Sequence, residues 1–401
     1  MGVGRFVFTP IVPLMHVQAR LSVSSGAHLA TANYVGYLIG ALAGILAPGL
    51  VRSPALLRAA LVALVGSLAA MPVTESTSGW TVLRLVTGVA SALIFVIAAN
   101  SLLSHLRGRP AHMSGWAFGG VGGGIALSGL LVLAVRSVAG WQAAWWASAA
   151  LATFLAVPAW NLRQEAAPAA PAPSVPPSPS SGGAGVAGAT AGEPEPRART
   201  GRQFAVLFAA YTLEGTGYIV AGTFLVAAIE QDSPGWIGNG AWILVGLAAV
   251  PSAALWARLG RRWSRPGLLF AALVVQAVGI ALPTLFGGVT AALISAVLFG
   301  ATFIGISTLA LASGAHLRFP RSVPLLTAGY SVGQIFGPLV VAPLLHHGYR
   351  PALLLASLVV FAAAAAAGVL RIGFPRQVER MPQGMRVSRP EDAPVAGGSR
   401  A

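Results

Sequence analysis

Long apolar runs separated by short arginine-bearing segments dominate the chain. Runs of about 20 residues, enough to cross roughly 30 Å of hydrocarbon as an α-helix, fall near 2–18, 27–47, 54–72, 79–103, 113–135, 141–160, 203–229, 236–257, 266–285, 287–312, 323–345 and 351–371. They are continuously apolar rather than alternating, so the pattern predicts helices and not the strands of a barrel. The first run is short, as though its helix opens upstream, and no cationic leader or small-residue cleavage site marks a signal peptide. Residues 164–202 are different material, with Pro168, Pro171, Pro173, Pro176, Pro177 and Pro179 among Ala, Ser and Gly. Such a stretch buries too little apolar surface to offset its chain entropy, which predicts a disordered linker. A second disordered tail is expected over 375–401. The reading is an all-α polytopic membrane protein of twelve transmembrane helices, six in 1–163 and six in 203–374.

Composition agrees. Charged residues make up 9% of the chain, against roughly a quarter in an ordinary soluble domain. Hydrophobic residues are 56% and the mean hydropathy is +0.76, which excludes a water-soluble core-and-surface design. The formal net charge of +15 does not signal nucleic acid, because the basic residues sit in small clusters between apolar runs rather than on one polar face. All 25 of them are arginine. With the N-terminus inside, twenty fall in cytoplasmic segments and only Arg20, Arg136 and Arg350 outside, while Arg5 and Arg84 lie within helices. The positive-inside rule then puts both termini in the cytoplasm. With no Cys, disulfides, thiolate metal sites and a Cys nucleophile are excluded.

The two halves resemble each other. Gly115, Gly119 and Gly123 of run five recur 214 residues later as Gly329, Gly333 and Gly337 of run eleven. Gly2 and Gly4 recur as Gly215 and Gly217; Asn33, Gly40 and Arg52 recur as Asn239, Gly246 and Arg258. Nearly constant displacements across three helix pairs point to two pseudo-symmetric six-helix halves.

That plan resembles the major facilitator superfamily of secondary transporters. Arg84-Leu85-Val86-Thr87-Gly88 in run four resembles its R-x-x-x-G signature, and Arg258, Gly260, Arg261 and Arg262 after run eight resemble the R-x-G-R-R core of its cytoplasmic loop motif. The usual upstream Gly and Asp are Ala253 and Ala257 here, which removes the basis for an Asp-to-helix latch. Within the superfamily, Gly4-Arg5-Phe6, Thr9-Pro10, Ala32-Asn33-Tyr34, Gly36-Tyr37 and Glu214-Gly215-Thr216-Gly217-Tyr218 resemble the YbfB/YjiJ-type bacterial transporters, from Gly2 to about Arg371. The resemblance implies a monomeric secondary active transporter in the cytoplasmic membrane of a bacterium. It would move a small solute by alternating access, coupled to protons, through a cavity lined by the first, fourth, seventh and tenth helices. The rival class is a non-transporting membrane sensor or accessory subunit, which would want an ordered output domain. A membrane enzyme would want clustered His or acidic residues at one depth, and neither rival has its feature.

Candidate residues follow from what a bilayer penalises. Arg5, Arg84 and Glu214 are ionisable residues inside apolar runs, where each costs several kcal/mol, so function is the default reading. Arg5 lies about 18 Å from the outer end of its run and Glu214 about 22 Å from its own, near mid-membrane at similar heights. Arg84 lies about one turn from Trp80 and can serve instead as an interfacial anchor. Arg5 and Glu214 form either a coupling pair, in which a neutral Glu214 frees Arg5 for an organic anion or amphipathic solute, or a permanent structural ion pair. Tyr34, Tyr37, Tyr211, Tyr218 and Tyr330 are candidates to line the cavity, and Trp141, Trp145, Trp146 and Trp236 to form an outer aromatic belt. Gly36, Gly40 and Gly44, with the two triplets above, make smooth faces for close packing or for sliding during gating. No histidines have metal-ligand spacing and no phosphate-binding or dinucleotide fingerprint is present, so neither a metal nor a cofactor is expected.

Overall fold

The computed structural model describes residues 1–47, 49, 52–105, 111–162, 195–233, 235–372 and 374. The expected tail lies outside these residues, and so does the expected linker up to residue 194. The helices are α1 (Gly2–Phe6), α2 (Phe8–Gln18), α3 (Val23–Leu46), α4 (Pro54–Ala70), α5 (Thr77–His105), α6 (Ala111–Arg136), α7 (Trp141–Ala159), α8 (Glu195–Asp232), α9 (Gly235–Leu259), α10 (Arg265–Leu285), α11 (Gly288–His316), α12 (Ser322–Val341) and α13 (Tyr349–Leu370). No strand occurs among the described residues.

Every apolar run is helical, because lipid offers the backbone no hydrogen-bond partner other than itself. Ten of the described helices are long and apolar enough to cross a membrane. The two remaining runs have specific reasons to fall short. The first is split at Val7 into α1 and α2. Pro10 has no N–H to offer the carbonyl of Phe6 and its ring crowds that carbonyl, so the helix yields one turn before the proline. The other is α7, whose Trp141, Gln142, Trp145 and Trp146 dilute an otherwise apolar sequence. The seventh run begins earlier than hydropathy delimits. Helix α8 starts at Glu195, about two turns ahead of Gln203, with Pro196 in the first turn, where a missing N–H costs nothing. Polar residues lower hydropathy without ending a helix.

Within the first half α3 packs along α5, and α4 lies against α5 and α7; within the second, α8 packs against α12 and α13, and α9 and α10 against α11. The halves meet along α6–α9, α3–α12 and α2–α8, and α6–α9 is the most extensive helix contact in the protein. Glycines explain its closeness. A Cβ at Gly119 would stand 2.5 Å from the carbonyl oxygen of Val250, one at Gly122 2.6 Å from the Val250 nitrogen, and one at Gly246 would collide with the nitrogen of Ala126. Gly115 sits equally close to Ala254, whereas a Cβ at Gly123 would meet nothing within 4 Å. The face therefore runs through positions 115, 119 and 122, and Gly123, expected to be part of it, is turned away.

The matching triplet serves another purpose. Gly329 stands against Phe208 and Thr212, Gly333 against the Thr212 carbonyl and Gly337 against the Thr216 carbonyl, all on α8 of the same half. In the first half Gly36 approaches the carbonyl of Leu85 and Gly40 that of Val89 on α5, with Gly88 of α5 against Asn33 in return. Gly44 is buried on the same helix. The glycine of the Arg84-x-x-x-Gly88 signature is thus a packing residue that brings α5 onto α3.

Substitutions separate the two kinds of glycine. Gly119→Val should destabilise the protein by about 1–3 kcal/mol, as overpacking of a close contact does, and Gly123→Ala should leave stability within about 0.5 kcal/mol. Thermal melts of the two variants in detergent, compared with the parent, check this.

Candidate functional site

Arg5, Tyr34, Tyr37, Tyr218, Tyr330 and Gln334 are found where α1 and α3 of the first half face α8 and α12 of the second. Arg5, on the last turn of α1, is 7% exposed. Its guanidinium lies over the Tyr37 ring at 4.2 Å, with the rings of Phe6 and Tyr34 at 5.3 and 5.5 Å. This is cation–π geometry, which is worth most where water is excluded. One Nη donates to the Oε1 of Gln334 on α12, across the seam between the halves. The Nε of Arg5 has no partner.

Arg84, on α5, is 1% exposed. Its guanidinium lies 4.6 Å from the Phe8 ring, and Nη1 donates to the Gly4 carbonyl at 3.5 Å. Asn33 donates to the Arg84 carbonyl at 2.9 Å. The interfacial-anchor alternative for Arg84 is therefore overturned: the side chain turns inward to hold α1 and α2 rather than reaching the surface. Tyr34 feels both guanidiniums, so this region carries two positive charges close together.

Glu214, on α8, is completely buried and neither carboxylate oxygen completes a hydrogen bond. The Gln276 amide of α10 lies beside it without reaching good geometry, and its own two polar atoms are also unpartnered. Glu214 therefore faces the interior of the second half. Arg5 and Glu214 are not in ion-pair contact: Arg5 is held by Gln334, and Glu214 sits beside Gln276. Tyr218 and Tyr330 lie close to both Arg5 and Glu214.

Aromatic rings fill this layer. Tyr211 and Tyr330 stack at 4.5 Å, Tyr330 and Tyr218 at 5.8 Å, Tyr218 and Phe303 at 4.9 Å, and Phe303 and Phe299 at 6.4 Å, with interplanar angles no greater than 15°. Phe6 meets Phe303 edge-on. The structure thus brings Arg5, Tyr34, Tyr37 and Tyr218 together and sets Glu214 behind them. It adds Gln334, Gln276, Phe299 and Phe303, which sequence reasoning did not single out. The glutamines carried a usable signal, since an amide inside an apolar run has to find a partner. The phenylalanines carried none.

Arg258, Gly260, Arg261 and Arg262 lie apart, exposed at the end of α9 and the turn after it. The expected aromatic belt is only partly there. Trp141 and Trp145 are buried, against Trp80 and Phe8, while Trp146 and Trp236 are exposed.

Toward the end that the arginine count assigns to the outside, the halves are tied together. Thr9 donates to the Gly222 carbonyl at 2.6 Å, the hydroxyls of Tyr34 and Thr223 are 2.8 Å apart, and His16 Nε2 is 3.0 Å from the Tyr349 hydroxyl. At the rim Arg136 donates to Glu230 at 2.7 Å, and Asn239 also donates to that carboxylate.

A sequence model of the uncharacterised MFS-type transporter YbfB matches residues 1–368. No match was found among curated protein sequences. Among solved structures, the chain is similar to the crystal structure of a mutant of the nucleoside transporter NupG, with a TM-score of 0.64 and 14% identity over 92% of this chain and 97% of that one. At that identity the likeness concerns the fold.

The rim contacts can be tested on this cysteine-free chain. In a Thr223→Cys background, adding Arg136→Ala should raise the rate of labelling by a membrane-impermeant thiol reagent roughly fivefold, the ratio given by about 1 kcal/mol from a partly exposed pair. Labelling kinetics on intact cells measure it.

Proposed function

The chain belongs to the YbfB-type family of major facilitator superfamily transporters, and on that footing we propose that it is a secondary active transporter that moves a small organic anion across the bacterial cytoplasmic membrane by alternating access, coupled to protons. Its family and fold are those of transporters rather than enzymes, and membership implies a multi-pass membrane protein acting on a small-molecule solute. The arginine distribution supports a cytoplasmic position for both termini, and in this reading the transporter acts as a monomer.

One observation carries the anion reading. Two guanidiniums, Arg5 and Arg84, are buried near the seam between the halves, and among the described residues no carboxylate lies within ion-pair distance of either. A buried cation without a counter-ion is costly, and an anionic solute arriving at the seam supplies what the protein withholds. Proton coupling is supported by Glu214. Burial disfavours the charged form of a carboxylate, and a hydrogen bond or a nearby cation favours it. Glu214 has burial without a completed hydrogen bond in this conformation, so a rearrangement that changes its surroundings changes its hold on a proton. Tyr218 and Tyr330, close to both Glu214 and Arg5, are the groups through which a rearrangement at one would reach the other.

Alternating access is supported by the distribution of contacts. The hydrogen bonds that join α2 and α3 to α8 and α13 cluster toward one end of the bundle, as in a transporter closed on that side. The glycine-lined α6–α9 contact lets one half rock on the other with little side-chain interlocking.

Glu214→Gln should insert normally, lose solute accumulation driven by a pH gradient, and retain solute exchange across the membrane. Full accumulation by this variant in proteoliposomes would rule out Glu214 as the coupling carboxylate. Reporter fusions after residues 75, 136 and 232 should report as external and those after 109, 180 and 262 as internal. An internal signal at 232 would break the two-half topology.

A further inference from the structure

The unsatisfied polar atoms around Arg5 are not a random assortment. Arg5 Nε, Gln334 Nε2, and the hydroxyls of Tyr218 and Tyr330 are all buried and none completes a hydrogen bond of good geometry, the two hydroxyls lying beside each other. Each can donate: a guanidinium N–H, an amide N–H and two phenols. They come from α1, α8 and α12, and so from both sides of the seam. A buried donor left unmade costs about 1–3 kcal/mol, and three of them around the guanidinium that carries the fourth make a site built for an acceptor-rich anion.

The site also constrains shape. Tyr330, Tyr218 and Phe303 form a row of near-parallel rings on the second-half side, and the guanidinium lies over the Tyr37 ring on the first-half side. A saturated chain makes poor use of such walls, whereas a flat ring stacks on them in the offset geometry aromatic pairs prefer. A single charge is favoured, because the second guanidinium, Arg84, is occupied by Phe8 and the Gly4 carbonyl.

We propose that the solute is a planar aromatic monocarboxylate, its carboxylate bound by Arg5, Gln334 and the hydroxyls of Tyr218 and Tyr330, and its ring stacked against the tyrosine row. This rests on the organic-anion reading above and narrows it. Arg5 supplies charge and directional N–H donors that match the two carboxylate oxygens. Gln334 holds the guanidinium in place through its Oε1, and its unpartnered amide nitrogen donates to the anion. Tyr330 discriminates flat rings from puckered ones.

Equilibrium binding to the purified full-length protein tests this without relying on transport. Radiolabelled benzoate and cinnamate are the probes, with cyclohexanecarboxylate, benzamide and phenyl phosphate as competitors. Saturable binding of at least one aromatic carboxylate is expected, with cyclohexanecarboxylate and benzamide at least about tenfold weaker, a ratio within reach of one stacking contact or one charge-assisted hydrogen bond. Arg5→Gln should abolish binding of the carboxylate. Tyr330→Leu should weaken the aromatic acid about tenfold and leave cyclohexanecarboxylate unchanged, a selectivity that mere structural damage would not produce. Equal affinity for benzoate and cyclohexanecarboxylate, lost together in Arg5→Gln, would overturn the planar class and leave the anion reading intact. Tighter binding of phenyl phosphate would overturn the carboxylate, and binding of benzamide as tightly as benzoate would overturn the role of Arg5. Normal binding with pH-independent transport would instead overturn proton coupling alone.

Discussion

A guanidinium in a low-dielectric interior must be surrounded by groups that replace its water, and the centre of this protein is organised around that requirement at Arg5. It is met with ring faces and one amide instead of a carboxylate. The choice has consequences for everything near it. A carboxylate at contact distance would have neutralised the charge and closed the site to other anions. A tyrosine face and a glutamine oxygen stabilise the cation while leaving its charge unspent. Because Gln334 belongs to one half and Arg5 to the other, the same hydrogen bond also spans the surface along which the halves meet.

The interfaces between the halves are related by the internal repeat but are packed differently. At α6–α9 the backbones approach within reach of a single missing Cβ, through Gly119, Gly122 and Gly246. At the equivalent α3–α12 contact the repeated glycines of α12 are turned toward α8 of their own half. One interface is close and smooth, and the other carries the chemistry. Together with the hydrogen bonds between Thr9 and Gly222 and between Tyr34 and Thr223, this sets the geometry about which one half can pivot.

The helices, their order and the repeat were legible in the sequence because lipid allows an apolar run of that length only one conformation. So were Arg5, Arg84 and Glu214, since an ionisable residue stands out against an apolar background. What the sequence did not show was direction. A helix that is apolar all round has no polar face to say which side looks inward, so nothing indicated that Glu214 turns to Gln276, 62 positions along the chain, rather than to Arg5. The same gap explains Trp141 and Trp145, whose size and amphipathic character suit an interface and a core alike. Gly123 shows how fine the limit is. Fourfold spacing drifts around a helix of 3.6 residues per turn, and on α6 the contact follows 115, 119 and 122, whereas on α12 it keeps to 329, 333 and 337. Which course a contact takes depends on the crossing angle of two helices, a property of their tertiary packing.

If the charge at Arg5 and the proton at Glu214 act on each other through Tyr218 and Tyr330, their linkage is reciprocal: an anion at the first site must strengthen proton binding at the second by the factor by which the proton strengthens anion binding. The most direct measurement is proton exchange with a weakly buffered solution, followed by a pH indicator, when a bound aromatic carboxylate such as benzoate is added to the purified protein across a pH series. The account predicts net proton uptake on anion binding, approaching one proton per anion at pH values where Glu214 is ionised in the free protein, and absent in Glu214→Gln although the anion still binds. Anion binding with no proton uptake at any pH, or uptake of the same size in Glu214→Gln, would contradict it.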